Sequence, residues 1–424
     1  MIERHISTPD TAGSLWGAAP TPLVATPQLP ACDVCVVIPV RDEQNTLAAT
    51  LAALANQVDL HGLALNPATY EIIVLANNCR DDSAAIARHF AGRHAELALH
   101  VVELDLPAAQ AHVGAARRLL MDEAWSRFTT LGKTRGIIAT TDGDTLVSPT
   151  WIAATRAETG RGADAVGGRI MVDPLELRLL SAAGRECHLR DVGYRSMIAE
   201  LESRLDPDIH DPWPRHFQHF GASLAVTAEA YLRAGRLPVK PWFEDVAFYD
   251  ALTRADARFR HSPAVQVRTS GRRTGRTGFG FAVQLTQWES MDPCAQRMCV
   301  ESARAAEARI TARRKLRQAW RMCHREGSLS AGMCHSLADQ LNVDPNWLKE
   351  TLNQQSTFGM LMEQVKHSQR ESGRWHAEWP LVDIREAIWD LRCRLEVLRT
   401  QSPSARLLKE IDPVEVSTLS AQMS

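Results

Sequence analysis

The chain has 424 residues, of which 45% are hydrophobic and 23% charged, and its formal net charge is −2 at pH 7. This length favours a main domain with a smaller appended unit, and the apolar content is enough for a packed core. We expect no nucleic-acid partner, because the near-neutral charge creates no attractive field, and no transmembrane helix, because every apolar stretch ends well short of about 18 residues.

The N-terminal segment and the cysteines give the first expectations about location. Residues 1–31 are rich in Thr, Pro, Ala and Gly without periodicity, which predicts a flexible leader, with the ordered fold starting near Cys32. Nine cysteines, with no cleavable apolar segment before them, favour a reducing cytoplasm over a disulfide framework. Peripheral contact with a membrane stays open.

Short runs rich in Val and Ile predict four buried strands in the first third of the chain. They lie at residues 35–40, 71–76, 99–104 and 136–140. Stretches with helical spacing separate them, so strand and helix alternate. This alternation predicts an α/β fold with a doubly wound sheet, in which ligands bind at the carboxyl ends of the parallel strands.

The second half of the chain is less regular. Strands are predicted at residues 163–170, 219–226 and 264–270, and helices at 175–205 and from about 243. Beyond about residue 278 the sequence becomes helical and polar, and an apolar stripe from Ile384 to Leu398 marks one late helix. Residues 281–424 are therefore predicted to form a helical C-terminal extension, which either packs on the main domain or mediates self-association.

Two carboxylates follow the fourth predicted strand with a single glycine between them. Asp142 and Asp144 should therefore lie at the carboxyl edge of the sheet, where their negative charges repel each other. Two hard oxygen donors suit Mg²⁺ or Mn²⁺ bridging a diphosphate better than they suit zinc. An acidic turn after a strand is the alternative that these residues alone leave open.

Three other polar segments are expected near this pair. The loops "PVRDEQNTL" (residues 39–47) and "NNCRDDS" (77–83) close the first two strands. Further along, Glu244 and Asp245 stand at a predicted helix start, where the helix dipole stabilises ionised carboxylates. Acidic residues are common there, so an ordinary helix start is the competing interpretation.

Five segments in order give the chain a family resemblance. "VVIPVRDE", "IIVLANNCRDDS", "VGAARRL", "TDGD" and "FEDV", with "FGASLAV" between the last two, resemble the family 2 glycosyltransferases over about residues 34–280. The resemblance implies a GT-A fold, assigned to residues 32–280. It also implies inverting, metal-dependent transfer of a sugar from a nucleotide-sugar donor to an acceptor hydroxyl. The sugar and the acceptor are not specified.

The resemblance implies a nucleotide pocket at the ends of the first two strands. Asn77 stands where relatives usually carry an Asp that binds uracil, and because an amide both donates and accepts, a UDP-linked and a GDP-linked donor both stay open. Arg117 fits a family arginine position, with a solvated helix arginine as the alternative. The residues implied for the nucleotide are Pro39, Arg41, Glu43, Asn77, Asp81, Arg117 and Asp142.

The same resemblance implies the chemical roles. Asp144 is the main ligand of a divalent cation, Mg²⁺ or Mn²⁺, and Asp142 contacts the cation or the ribose. Asp245 is the general base that takes the acceptor proton, and Glu244 orients the acceptor.

Weaker expectations concern two later segments. A basic loop is expected to close over the diphosphate through Arg272, Arg273 or Arg276, with a solvated loop as the alternative. His219 and Gly221 are expected to border the acceptor or the sugar, although a lone histidine is usually structural. A retaining glycosyltransferase or nucleotidyltransferase on the same sheet, and a non-catalytic binding or scaffold protein, remain as rival functions.

Overall fold

The computed structural model describes residues 22–272, 280–291, 297–327 and 329–401. The strands are β1 (Val34–Val40), β2 (Tyr70–Asn77), β3 (Ala98–Leu104), β4 (Ile137–Thr140), β5 (Thr145–Val147), β6 (Ala165–Val172), β7 (Leu224–Thr227), β8 (Phe259–Thr269), β9 (Cys299–Val300) and β10 (Val382–Asp383). The helices of the first part are α1 (Leu47–Ala55), α2 (Ser83–Arg93), α3 (Val113–Thr130), α4 (Trp151–Gly160), α5 (Pro174–Leu179), α6 (Ala182–Leu205), α7 (Ala228–Arg233) and α8 (Glu244–Arg254). Those that follow are α9 (Phe281–Ser290), α10 (Ala303–Glu326), α11 (Ala331–Leu341), α12 (Pro345–Gln354), α13 (Phe358–Ser372), α14 (Arg374–Glu378) and α15 (Ile384–Thr400).

The central sheet has eight strands in the order β3-β2-β1-β4-β7-β6-β8-β5. Strands β3, β2, β1 and β4 run parallel, so their carboxyl ends share one edge. Strand β7 is antiparallel to both β4 and β6, which makes the other half of the sheet mixed. The predicted α/β class with a GT-A type sheet is confirmed, whereas the doubly wound parallel arrangement applies to one half of the sheet.

The central strands are buried on both faces because their side chains alternate between two helical layers. In β1, Val36 and Ile38 pack in the cluster that contains α1 and α4, whereas Cys35 and Val37 pack in the cluster that contains α3 and α8. A run of consecutive apolar residues is what a strand covered on both faces requires. This packing presents the loops at the strand ends to one side.

The C-terminal helices form two further packed groups. Helices α10 to α13 share an apolar core of their own, which includes Leu316, Leu348 and Leu361. Helix α15 packs on α6 and α10 through the predicted apolar stripe, with Ile384, Leu391 and Leu395 buried. The expected helical extension is present in the described residues, and it packs on the main domain. No helix in the described part of the chain combines the length and apolar character that a membrane span needs.

Three sequence-based expectations about the main domain and the segment before it were wrong. Residues 22–31 of the predicted leader pack on the main domain, since Val24 is buried and Gln28 donates to Glu71 at 2.7 Å. The predicted helix 175–205 is two helices, because the Ser181 hydroxyl accepts the Gly184 N–H and caps a new helix. The predicted strand 219–226 is a 3₁₀ turn at Gly221–Ser223 followed by β7.

Candidate active site

The turn after β4 carries the predicted carboxylate pair, and neighbouring segments hold it closely. The Thr50 hydroxyl of α1 donates to the Gly143 carbonyl at 3.1 Å. A Cβ on Gly143 would lie 3.2 Å from the Glu43 side chain. The glycine therefore lets the loop after β1, which carries Glu43, approach this turn. Asp142 and Asp144 flank this contact and point to different partners.

Asp142 belongs to a group of polar residues that we call the inner cluster: Arg117, Thr140, Asp142, Gly221 and Glu244. The Arg117 guanidinium donates to Asp142 at 2.9 Å and to Glu244 at 3.2 Å. It also donates to the Thr140 hydroxyl at 2.7 Å and to the Gly221 carbonyl at 3.0 Å. The arginine side chain is 3% exposed. Every nitrogen of this guanidinium therefore has an acceptor within the protein.

The charges of the inner cluster depend on one another. Burial opposes the charge of Arg117, but the neighbouring Asp142 and Glu244 outweigh it and raise the pKa of Arg117. Burial likewise raises the pKa of Glu244 above its ordinary value, although Arg117 acts in the opposite direction. A buried arginine and a buried carboxylate are each stable here because the other is present.

Asp245 lies beside the inner cluster and is joined to it through Gly221. One carboxylate oxygen accepts the Gly221 N–H at 2.8 Å, and the other accepts the Val246 N–H at 2.8 Å. A Cβ on Gly221 would lie 2.6 Å from the Arg117 guanidinium carbon, so a side chain there would displace Arg117. Hydrogen bonds thus connect Asp245 through Gly221 to Arg117 and on to Asp142.

Asp144 belongs to a second group, the outer cluster, made of Glu43, Asp144 and Arg272. Arg272 donates to both Glu43 oxygens at 2.6 Å and lies 3.0 Å from an Asp144 oxygen. Burial, and after it the charge of Asp142, raises the pKa of Asp144 to about 7 even with Arg272 alongside. The site therefore carries negative charge that one guanidinium does not fully balance.

Carboxylates link the loop after β1 to the loop after β2 through hydrogen bonds. Asp81 accepts the Gln44 N–H at 3.0 Å and the Ser83 hydroxyl at 2.5 Å, and Asp42 accepts the Arg80 N–H at 2.7 Å. Within the described residues, the compact group of three metal-type ligands is Asp42, Cys79 and Asp81. Since backbone amides already bind these carboxylates, we assign the group to loop structure.

The remaining residues of the implied nucleotide pocket lie at the ends of β1 and β2. Pro39 is part of β1, and Arg41 donates to the Ala111 carbonyl at 2.7 Å. Asn77 ends β2 and is buried, and its Oδ1 atom has no hydrogen-bond partner. An unpaired buried acceptor is costly, so this atom is a candidate for pairing with a ligand.

Three of the implied site residues have close partners within the protein. Arg117 and Glu244, implied for the nucleotide and the acceptor, bind each other inside the inner cluster. His219 stacks on Tyr249 of α8 with ring centroids 3.8 Å apart, and burial lowers its pKa to about 3, which keeps it neutral. Arg273 and Arg276 lie outside the described residues.

Sequence reasoning missed several supporting residues. Thr140 accepts from Arg117, and Ser83 accepts the Glu43 N–H at 2.7 Å. Ser83 follows two aspartates at a helix start, which is a recognisable capping pattern. No local pattern marks Thr140, because its partner is distant in sequence and lies on another element.

With this geometry in hand, the family can be assigned. Residues 35–216 match the family model described as glycosyl transferase family 2. These residues form a glycosyltransferase family 2 domain. The predicted family is thereby confirmed, and sugar transfer is the activity of this glycosyltransferase. The matched segment includes β1 to β6 and both aspartates after β4, and it ends before α8.

Known structures show distant similarity to this glycosyltransferase. The mannosyltransferase PcManGT from Pyrobaculum calidifontis, in complex with GDP-Man and Mn²⁺, is 14% identical over 87% of this chain and 88% of its own, with a TM-score of 0.39. Glucosyl-3-phosphoglycerate synthase from Mycobacterium tuberculosis, with Mn²⁺, UDP-glucose and phosphoglyceric acid, is 16% identical over 63% of this chain and 84% of its own, with a TM-score of 0.32.

A third similar structure is TarS from S. aureus, 11% identical over 59% of this chain, with a TM-score of 0.38. The match spans 41% of that TarS chain. With TM-scores this low, the similarities transfer neither donor nor acceptor to this glycosyltransferase. No curated protein matches the sequence significantly.

Proposed function

We propose that this glycosyltransferase transfers a sugar from a nucleotide-sugar donor to an acceptor hydroxyl with inversion, using Asp245 as the general base and a divalent cation at Asp144. The single observation that carries the proposal is the hydrogen-bonded path from Asp245 through Gly221 and Arg117 to Asp142. It fixes a base on α8 relative to the acids after β4, which a direct displacement between two substrates requires.

The residues at the edge of β4 fit a divalent cation. Asp144 is largely buried, and its pKa of about 7 reflects burial and a neighbouring carboxylate, both of which a cation would offset. Carboxylate oxygens suit Mg²⁺ or Mn²⁺. Asp144 would hold the cation with Asp142 beside it. Bound there, the cation would neutralise negative charge on the leaving diphosphate.

The chain's own residues account for the rest of the reaction. Backbone amides of Gly221 and Val246 orient the Asp245 carboxylate, which takes the proton of the acceptor hydroxyl. As that oxygen bonds to the anomeric carbon, the bond from this carbon to the diphosphate breaks and its electron pair leaves with the diphosphate. Arg272, next to the acids, is placed to neutralise a diphosphate oxygen.

The stereochemistry of donor hydrolysis tests the proposal without knowledge of the acceptor. UDP-glucose, UDP-N-acetylglucosamine and GDP-mannose would each be incubated with the enzyme and Mn²⁺, and the anomer of the first sugar released would be followed by proton NMR. All three donors are α-linked, so we expect the β-anomer to appear first. Initial release of the α-anomer would identify a retaining enzyme instead.

The role of Asp245 is tested by Asp245→Asn, which keeps the shape and removes the base. We expect turnover to fall by about 10²- to 10⁴-fold, the usual contribution of general base catalysis, with nucleotide affinity unchanged. Glu229→Gln is the matched control, because Glu229 is also an acid in the first turn of a helix but lies on α7. Full turnover by Asp245→Asn would refute the assignment.

A further inference from the structure

The helical extension touches the helix that carries Asp245 at one close contact. Helix α13 begins against the end of α8, and Gly359 faces the backbone of Thr253. A Cβ at Gly359 would lie 1.8 Å from the Thr253 carbonyl oxygen and 2.8 Å from the Arg254 Cα atom. These are backbone atoms, so a side chain of any size would push the two helices apart.

The two helix ends also satisfy each other's free backbone groups. Asp256, just after α8, accepts the N–H groups of Phe358 and Gly359 at 2.8 and 2.7 Å. In return, the Thr357 hydroxyl donates to the Arg254 carbonyl at 2.6 Å. Helix ends leave such groups without partners inside the helix, so each helix caps the other.

Charged side chains extend the same interface. Arg254 binds both carboxylate oxygens of Glu363 at 2.8 Å, and Lys366 and Asp250 attract each other across the contact. The Arg254–Glu363 pair is close to half exposed on both sides, so it adds little stability. Its two hydrogen bonds join the end of α8 to α13 beside the Gly359 contact.

Helix α8 is therefore held from two sides. Phe248 and Leu252 bury one face in the core of the main domain, and α13 holds the far end. Helix α13 is anchored in turn by Leu361 and Val365 in the core of the extension. Because α8 has 11 residues, a shift at its end is carried to Asp245 at its start.

We propose that the helical extension is a positioning element for the reaction, with Gly359 as the residue that sets α8 and thereby the Asp245 carboxylate. This inference rests on the proposed function of Asp245. It gives the extension a role in turnover, beyond adding to the stability of the chain. The contact acts through α8, so neither Gly359 nor Asp256 needs to touch a substrate.

The test compares Gly359→Ala with Gly332→Ala in the full-length enzyme. Gly332 lies on α11 of the same extension, and a Cβ there would meet nothing within 4 Å. We expect Gly359→Ala to lower kcat for donor hydrolysis by about tenfold or more, as a displacement of about 1 Å can do. The donor KM should stay within about twofold, and amide hydrogen exchange should accelerate in α8 but not in β1 or β4. Gly332→Ala should match the wild type in all three.

Asp256→Asn is the second variant if Gly359→Ala does not fold. It removes the charge that caps α13 and keeps an acceptor, so we expect the same changes in α8 exchange and in kcat at smaller size. Loss of thermal stability in either variant with wild-type kcat and wild-type α8 exchange would overturn the inference. Asp245→Asn separates the two proposals: its full activity would refute the proposed function, whereas its inactivity beside a fully active Gly359→Ala would refute this inference alone.

Discussion

The candidate active site contains two arginine clusters that differ in exposure. In the inner cluster, Arg117 is 3% exposed and all its nitrogens have protein acceptors. In the outer cluster, Arg272 is 26% exposed and binds only carboxylates in the described contacts, those of Glu43 and Asp144. Each guanidinium bridges two acids, but only the outer one is partly exposed.

This difference in exposure distinguishes residues that hold the fold together from residues that contact a ligand. Removing a partner from a buried ion pair leaves an unbalanced charge in a medium of low polarity, whereas solvent or a ligand can replace an exposed partner. We therefore expect the inner cluster to determine stability and the outer cluster to determine ligand affinity. The following predictions are ordered from the largest expected effect to the smallest.

The substitution Arg117→Met should remove the inner cluster's cation and leave Asp142 and Glu244 without it. We expect the free energy of unfolding to fall by about 3–5 kcal/mol, as for other broken buried pairs. Urea unfolding would measure this. Arg117→Met combined with Glu244→Gln should recover part of the loss, because one stranded charge is then gone. Equal stability of the single and double variants would contradict an electrostatic cause.

The substitution Arg272→Gln should act on ligand binding instead. We expect nucleoside diphosphate to bind about 10- to 100-fold more weakly in Mn²⁺, which corresponds to one charge-assisted contact of about 1.5–3 kcal/mol. Unfolding without ligand should change less than in Arg117→Met, because Arg272 is 26% exposed and solvent can replace it beside the acids. Arg268→Gln changes an exposed arginine near the end of β8, the strand that precedes Arg272, and is the control for a general loss of charge. Calorimetry that gives the two variants equal affinity would rule out this contact.

The substitution Gly221→Ala tests the junction between Asp245 and Arg117. The new methyl group would meet the guanidinium carbon at 2.6 Å, so we expect overpacking to cost about 1–3 kcal/mol of stability. Donor hydrolysis should fall as well, because Gly221 also holds Asp245. Gly160→Ala is the control, since a Cβ there meets nothing within 4 Å. Thermal unfolding and turnover would be measured together, and wild-type values for both would show that the junction tolerates a side chain.

The pH dependence of the metal-free enzyme tests the charge of the outer cluster. The fold raises the pKa of Asp144 from 3.8 to about 7, so its contribution to stability is complete below pH 3.8 and is lost as pH rises through 7. The wild type should therefore lose stability relative to Asp144→Asn between these values, by at most about 1.4 kcal/mol per pH unit. Urea unfolding at several pH values would measure the stability of both proteins. A stability difference that stays constant with pH would contradict this prediction.

Much of the fold was predictable because burial on both faces leaves a local signature. Consecutive Val and Ile residues located β1 to β4 within one or two residues of their observed ends. The leader was less accessible to sequence reasoning, because Gln28 is fixed by Glu71, a partner 43 residues away. Composition alone gives no sign of such a contact.

The candidate site was predictable in membership but less so in role. Asp142, Asp144 and Asp245 lie near one another because strand ends and helix starts converge at one edge of the sheet. The roles of Arg117 and Glu244 depend on which side chain reaches which, across 127 residues of sequence. Spacing along the chain cannot distinguish a buried ion pair from two ligand contacts.

The central claim, that Asp144 and a divalent cation together bind the donor's diphosphate, is tested most directly by thermal unfolding of wild type and Asp144→Asn with UDP or GDP, with and without Mn²⁺. We predict that one nucleotide stabilises the wild type only when Mn²⁺ is present, by about 2.7 kcal/mol at 100 times its Kd, and that Asp144→Asn loses this gain. Equal stabilisation of both proteins, or none by either nucleotide with Mn²⁺, would contradict the account.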